Sequence, residues 1–321
     1  MKQKFALLLS CTLIIVLCSS WGFFAHKRIN RVAIFTLPKG MLPFYLANID
    51  FVTEHAVDPD KKRYVDSTEG PHHFFDADHY GKKPFDKMPQ RWAEAERQYS
   101  ADSLNKYGTV PWTIQHYYYK LVQAFKDKDT TAILRTSANL GHYIADAHVP
   151  LHLTENYNGQ LTNQTGIHSF WETRVPELFS DGYNYNVGRA HYIESPLKEA
   201  WKICRKTFRC VDSVLVFERR LNATFTPDKK FEMVKRNGRK NKDYSVEYAA
   251  AYQTALHGMV ERQMRAAILE IGCFWFSAWV DAGQPDLNKL IDKSTIDPIK
   301  AKQTNYELLL YRQGKVAVAD K

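Results

Sequence analysis

The stretch "GHYIADAHVPLH", residues 141–152, constrains the fold of this chain more than any other. His142 and Asp146 are four apart, so a helix projects both from one face. Pro150 ends or kinks that helix and lets His152 turn inward just beyond it. Downstream, "TGIHSFWE" repeats the spacing with His168 and Glu172. Two helices that each offer an imidazole and a carboxylate one turn apart are what a metal site in a bundle core needs. A lone pair of this kind is more often a surface pair or a satisfied core polar group. The joint pattern, with the Asp- and His-rich stretch "HAVDPDKKRYVDSTEGPHHFFDADHY" upstream, points to a metal.

The rest of the chain reads as helical. "VPWTIQHYYYKLVQAFK" has Pro111 in a first turn and apolar residues at helical spacing. After the break "DKDT" a second helix runs to Pro150, and long helices are expected from Pro196 to Leu221 and from Tyr244 to Asp281. "SVLVF" at 213–217 is the best strand candidate, inside a helical context. Loops are expected at 56–72, 154–166 and 225–243, the last of them basic and read first as a solvated loop. The expectation is one all-α domain over 21–284, with a C-terminal extension at 285–321 that lies on the surface or is disordered.

Residues 1–20 read as a signal peptide. Lys2 and Lys4 precede an apolar run from Phe5 to Leu17, and small residues lead up to Trp21. The run is too short to span a bilayer comfortably. Export is therefore expected, to a periplasm or the outside, with cleavage before Trp21. Three cysteines remain beyond that point, Cys204, Cys210 and Cys273. Cys204 and Cys210 sit about 9 Å apart along a helix, too far for a disulfide without a break in it, so disulfides are not the main staple and another cross-link is worth looking for. The formal charge of +9 suits anionic partners, nucleic acid or lipid headgroups, without choosing between them.

"WGFFAH", "AVDPD…HHFFD", "GHYIADAHVPLH" and "GIHSFWE" together resemble the superfamily of S1/P1 nucleases and bacterial zinc-dependent phospholipases C, over roughly residues 21–175. The resemblance implies an all-α fold with a cleft holding three zinc ions and a mature chain beginning at Trp21. Asp58, His73, His142 and Asp146 would hold the first zinc, and His152, His168 and Glu172 the second. The α-amine and carbonyl of Trp21, His26 and a bridging Asp146 would hold the third. His73 is preferred to His72 because "HFFD" matches the family's histidine-aromatic-aromatic-aspartate run, and Asp58 to Asp60 by its spacing to His73. Asp58 would also orient the attacking water or take its proton, and Phe74 would line the substrate groove.

The resemblance implies a phosphodiester hydrolase. The short Trp21–His26 spacing leans towards a nuclease acting on single-stranded nucleic acid or 3′-nucleotides. Glu172 and its short connection lean towards a phospholipase C acting on headgroups. A zinc-binding scaffold without turnover is the third reading. No obligate protein partner is implied.

Overall fold

The computed structural model describes residues 22–236 and 239–314. Residues 1–20, read above as a signal peptide, Trp21 and the last seven residues lie outside the described residues.

Two antiparallel helices, Val110–Asp127 and Thr130–Asp146, form the centre of the molecule. Pro111 opens the first, where its missing N–H has no helical partner to lose. Lys128 closes it in the left-handed region at φ 56°, and the Asp129 carboxylate accepts from Ala132 N at 3.0 Å to cap the second. The long helix Met259–Asp281 and the helix Pro196–Phe208 pack against this pair. The first helix, Gly22–Ala33, lies against both Met259–Asp281 and Thr130–Asp146.

Aromatic side chains fill the joints. Trp275 stacks on Tyr45 at 5.3 Å and donates its indole N–H to Ser137 O. Phe75 stacks on Tyr80 and meets Trp112 and Trp201 edge-on. Such pairs add to the area they bury only in these offset or edge-to-face geometries.

The expected long helices divide. Pro196–Leu221 breaks at Arg209–Cys210 into Pro196–Phe208 and Val211–Asn222, which turns Val214 and Leu215 to the core. Neither Gly nor Pro marks that break. Tyr244–Asp281 breaks at His257 and Gly258, both at positive φ, into Val246–Ala255 and Met259–Asp281. "SVLVF" is helical. The basic segment expected as a loop holds the one sheet among the described residues, the antiparallel pair Phe231–Arg236 and Arg239–Tyr244. The 56–72 segment, also expected as a loop, contains the helix Asp58–Lys62.

After Pro285 the chain forms a helix, Pro298–Arg312, capped by the Asp297 carboxylate. Its Glu307 accepts two hydrogen bonds from Arg31 on the first helix, at 2.9 and 3.0 Å. The three described cysteines are free thiols. Among the described residues no helix is long and apolar enough to cross a membrane.

Candidate metal centre

Six stretches converge on one buried cluster. The first helix supplies His26, and the last two turns of Thr130–Asp146 supply His142 and Asp146. The single turn Pro150–Leu153 supplies His152, because Pro150 halts the helix ahead of it. Asp60 comes from Asp58–Lys62 and His73 from the turn Gly70–His73. His168 begins a helix after Gly166, whose φ of 100° makes the turn into it, and Glu172 follows in a stretch of π-helix, Phe170–Arg174.

The side chains form three groups whose ligand atoms lie within 4.8 Å of one another: Asp60, His73 and His142; His26, His142 and Asp146; His152, His168 and Glu172. In the third, His152 Nε2 is 3.1 Å from His168 Nε2 and 3.5 Å from Glu172 Oε2, which is 3.0 Å from His168 Nε2. A tetrahedral ion with bonds of ~2.1 Å has ligand-to-ligand edges of ~3.4 Å. Around His142 Nε2 stand His73 Nδ1 at 3.1 Å, Asp146 Oδ2 at 3.2 Å and Asp60 Oδ1 at 3.7 Å. His26 stacks on His142 and directs Nε2 to Asp146 Oδ1 at 3.4 Å.

Hydrogen bonds behind the rings determine which nitrogen faces inward. His142, His152 and His168 each donate Nδ1–H to a backbone carbonyl, of Ala56, His73 and Tyr157 respectively. A neutral imidazole has one N–H, so each Nε2 presents a bare lone pair to the cluster. Two nitrogens facing at 3.1 Å need a proton or a metal ion between them. Both Glu172 oxygens, Asp146 Oδ1 and both His26 nitrogens are buried without a hydrogen-bond partner, which is costly unless something else satisfies them. This donor set of imidazole nitrogens and carboxylate oxygens fits a divalent metal such as zinc.

The electrostatics agree. Burial alone would lower the pKa of His142, but the Asp146 and Asp60 carboxylates outweigh it and raise it to about 9, so without a metal Nε2 carries a proton whose place a bound cation would take. Burial likewise opposes the shift at Glu172, yet His168 and His152 hold its carboxyl below the usual range. Asp146 is held well below it against its burial, chiefly by His142 and His152. His26 is lowered, by burial and then by His142. The carboxylates are thus ionised and the cluster favours positive charge.

Seven of the nine expected ligands come together here: His26, His73, His142, Asp146, His152, His168 and Glu172. His73, not His72, is the inward histidine; His72 stands half-exposed beside Glu69. Trp21 lies outside the described residues. Asp58 is not brought into the cluster: its carboxylate is 34% exposed and turns to His55 Nδ1 and Lys61 Nζ, and the buried aspartate beside His73 and His142 is Asp60. Ala56 and Val57 are buried, and Asp60 lies four and three residues on, so it shares their face. That apolar pair was the available signal, and spacing to His73 cannot supply it.

Phe75 is core, whereas Phe74 is half-buried. Two further residues escaped the sequence reading. Arg63 brings a guanidinium within 3.7 Å of Asp60. Glu69 is a fully buried carboxylate 3.6 Å from His73 Nε2.

These features define a buried histidine–carboxylate centre able to hold metal ions within an all-α scaffold. A scan against protein-family models returned no match, and neither did a search of curated proteins.

Proposed function

We propose that this protein is an exported zinc-dependent phosphodiester hydrolase of the S1/P1 nuclease type, cleaving single-stranded nucleic acid or 3′-nucleotides. The observation that carries the reading is the set of three buried imidazole–carboxylate groups, two of them sharing His142 and the third approached by Asp146 at 3.6 Å from His152. The motif resemblance supplies the reaction class. Zinc held by these groups, with the Trp21 terminus completing the His26 group, would supply a water of lowered pKa and neutralise phosphate charge.

The chain's own groups divide the remaining work. Asp60 takes the role first expected of Asp58, orienting the attacking water or accepting its proton. Arg63, with its side chain 32% exposed, offers a forked donor to phosphate oxygens beside Asp60. Phe74 offers a ring to a base, and such stacking is worth about 1–3 kcal/mol.

One observation favours phospholipase C as the second reading. The loop between His152 and His168 exposes Tyr157 (45%) and Leu161 (71%), and the Tyr157 ring lies 6.0 Å from that of His168. Apolar surface beside the centre suits a lipid interface.

The test is chelator-sensitive turnover of single-stranded DNA and of phosphatidylcholine, at equal phosphodiester concentration, by zinc-loaded protein starting at Trp21. Faster DNA cleavage supports the nuclease. Faster lipid cleavage replaces it with the phospholipase. Zinc bound without turnover of either overturns the enzyme reading in favour of a scaffold.

A further inference from the structure

His73 is oriented the opposite way from three of the other imidazoles in the centre. His142, His152 and His168 present Nε2 inward and anchor Nδ1–H on a carbonyl. His73 presents Nδ1, at 2.9 Å from Asp146 Oδ2 and 3.1 Å from His142 Nε2. For Nδ1 to act as a ligand, the ring proton must sit on Nε2. The group facing Nε2 is Glu69 Oε1, at 3.6 Å.

We propose that Glu69 is a positioning residue of the metal centre, the outer carboxylate that fixes the tautomer and ring orientation of His73. The inference rests on the metal-centre reading above. Glu69 is itself held rigidly: the Tyr143 hydroxyl donates to Oε1 and Lys62 Nζ to Oε2 at 2.7 Å. Tyr143 immediately follows His142, so the helix that carries one ligand also clamps the carboxylate behind another. Lys62 neutralises Glu69 from outside, which leaves Asp60 and Asp146 to balance a divalent ion. At 3.6 Å the His73 contact is longer than a hydrogen bond, and a ring shift of about half an ångström closes it.

A second buried carboxylate provides the control. Glu218 accepts from Lys230 Nζ at 2.8 Å, from the Tyr248 hydroxyl at 2.7 Å and from Gln164 Nε2 at 2.6 Å, a lysine and a tyrosine as at Glu69 but an amide in place of a histidine. If Glu69 served packing alone, Glu69→Gln and Glu218→Gln would behave alike.

The test measures zinc affinity by chelator competition on wild type, Glu69→Gln and Glu218→Gln, alongside the visible spectrum of the cobalt-substituted forms and the melting temperature of the metal-free forms. The expected result is a loss of ~10–100-fold in affinity for one of the bound ions in Glu69→Gln, with an altered cobalt spectrum. Glu218→Gln should bind as wild type does. Should Glu69→Gln not fold, Tyr143→Phe, which removes the donor to Oε1 and leaves Lys62 on Oε2, is expected to weaken the same ion to a lesser degree. Wild-type affinity and spectrum in Glu69→Gln, or in Tyr143→Phe where that stands in, overturn the inference and leave the centre standing. A wild type that takes up no metal overturns the centre, and this inference with it.

Discussion

Replacing Asp60 by Asn removes a carboxylate 3.7–3.8 Å from two imidazoles of the centre, so metal content and turnover should fall together. We expect kcat/KM to drop ~10²–10⁴-fold on the preferred phosphodiester, the range of a lost acid–base group. Asp58→Asn, at the half-exposed rim, should stay within a few-fold of wild type. The reverse ranking would restore Asp58 to the centre. Asp146 stands in a different position, since its two oxygens face His26 and His73 separately. Asp146→Asn should therefore lose more than one ion by metal analysis, and full occupancy in that variant would contradict the shared role. Helical spacing alone made four of these ligands legible, His142 with Asp146 and His168 with Glu172, while Pro150 pointed to His152 and the motif resemblance to His26 and His73. Asp60 was not, because the choice between two aspartates depends on which face of a five-residue helix is buried.

The helices bring these ligands together by close approach as much as by spacing. A Cβ added to Gly141 would lie 2.3 Å from Asn30 Oδ1, and Asn30 is buried with its amide nitrogen donating to Ala138 O. Gly141→Ala therefore pushes the His26 helix off the His142 helix. Overpacking costs about 1–3 kcal/mol, offset in part by the ~1 kcal/mol of helix propensity that Ala gains over Gly. The denaturation midpoint should fall, and with it retention of metal by His26; an unchanged midpoint would show that the two helices have slack there. At this scale the sequence is an uneven guide. Gly258 announces its break by backbone freedom, but the break at Arg209–Cys210 carries no such residue and follows from packing. The hairpin was missed because its strands are mostly charged and lack apolar alternation.

Over the whole molecule, pH should act through a group outside the centre. Glu270, on Met259–Asp281, is raised to about 7 by burial and then by Glu199, against Lys202 and Lys206. The unfolded chain ionises near 4.5, so it sheds this proton before the folded protein does. Stability is then lost progressively between pH 4.5 and 7, and the full cost, on the order of 1–3 kcal/mol, persists above that. Glu270→Gln should raise the melting temperature of the metal-free protein at pH 8 and hardly alter it at pH 4.5. An equal effect at both would mean that the carboxyl is not held protonated. The covering of the first helix has a consequence of another kind. Besides Thr130–Asp146, that helix packs on Met259–Asp281 and, through Arg31 and Glu307, on the helix Pro298–Arg312, both late in the chain. On the ribosome, the segment bearing His26 emerges long before either cover exists. Assembly of the centre must therefore wait for nearly the whole chain, and a product released before Glu307 would carry its ligands without the frame that aligns them.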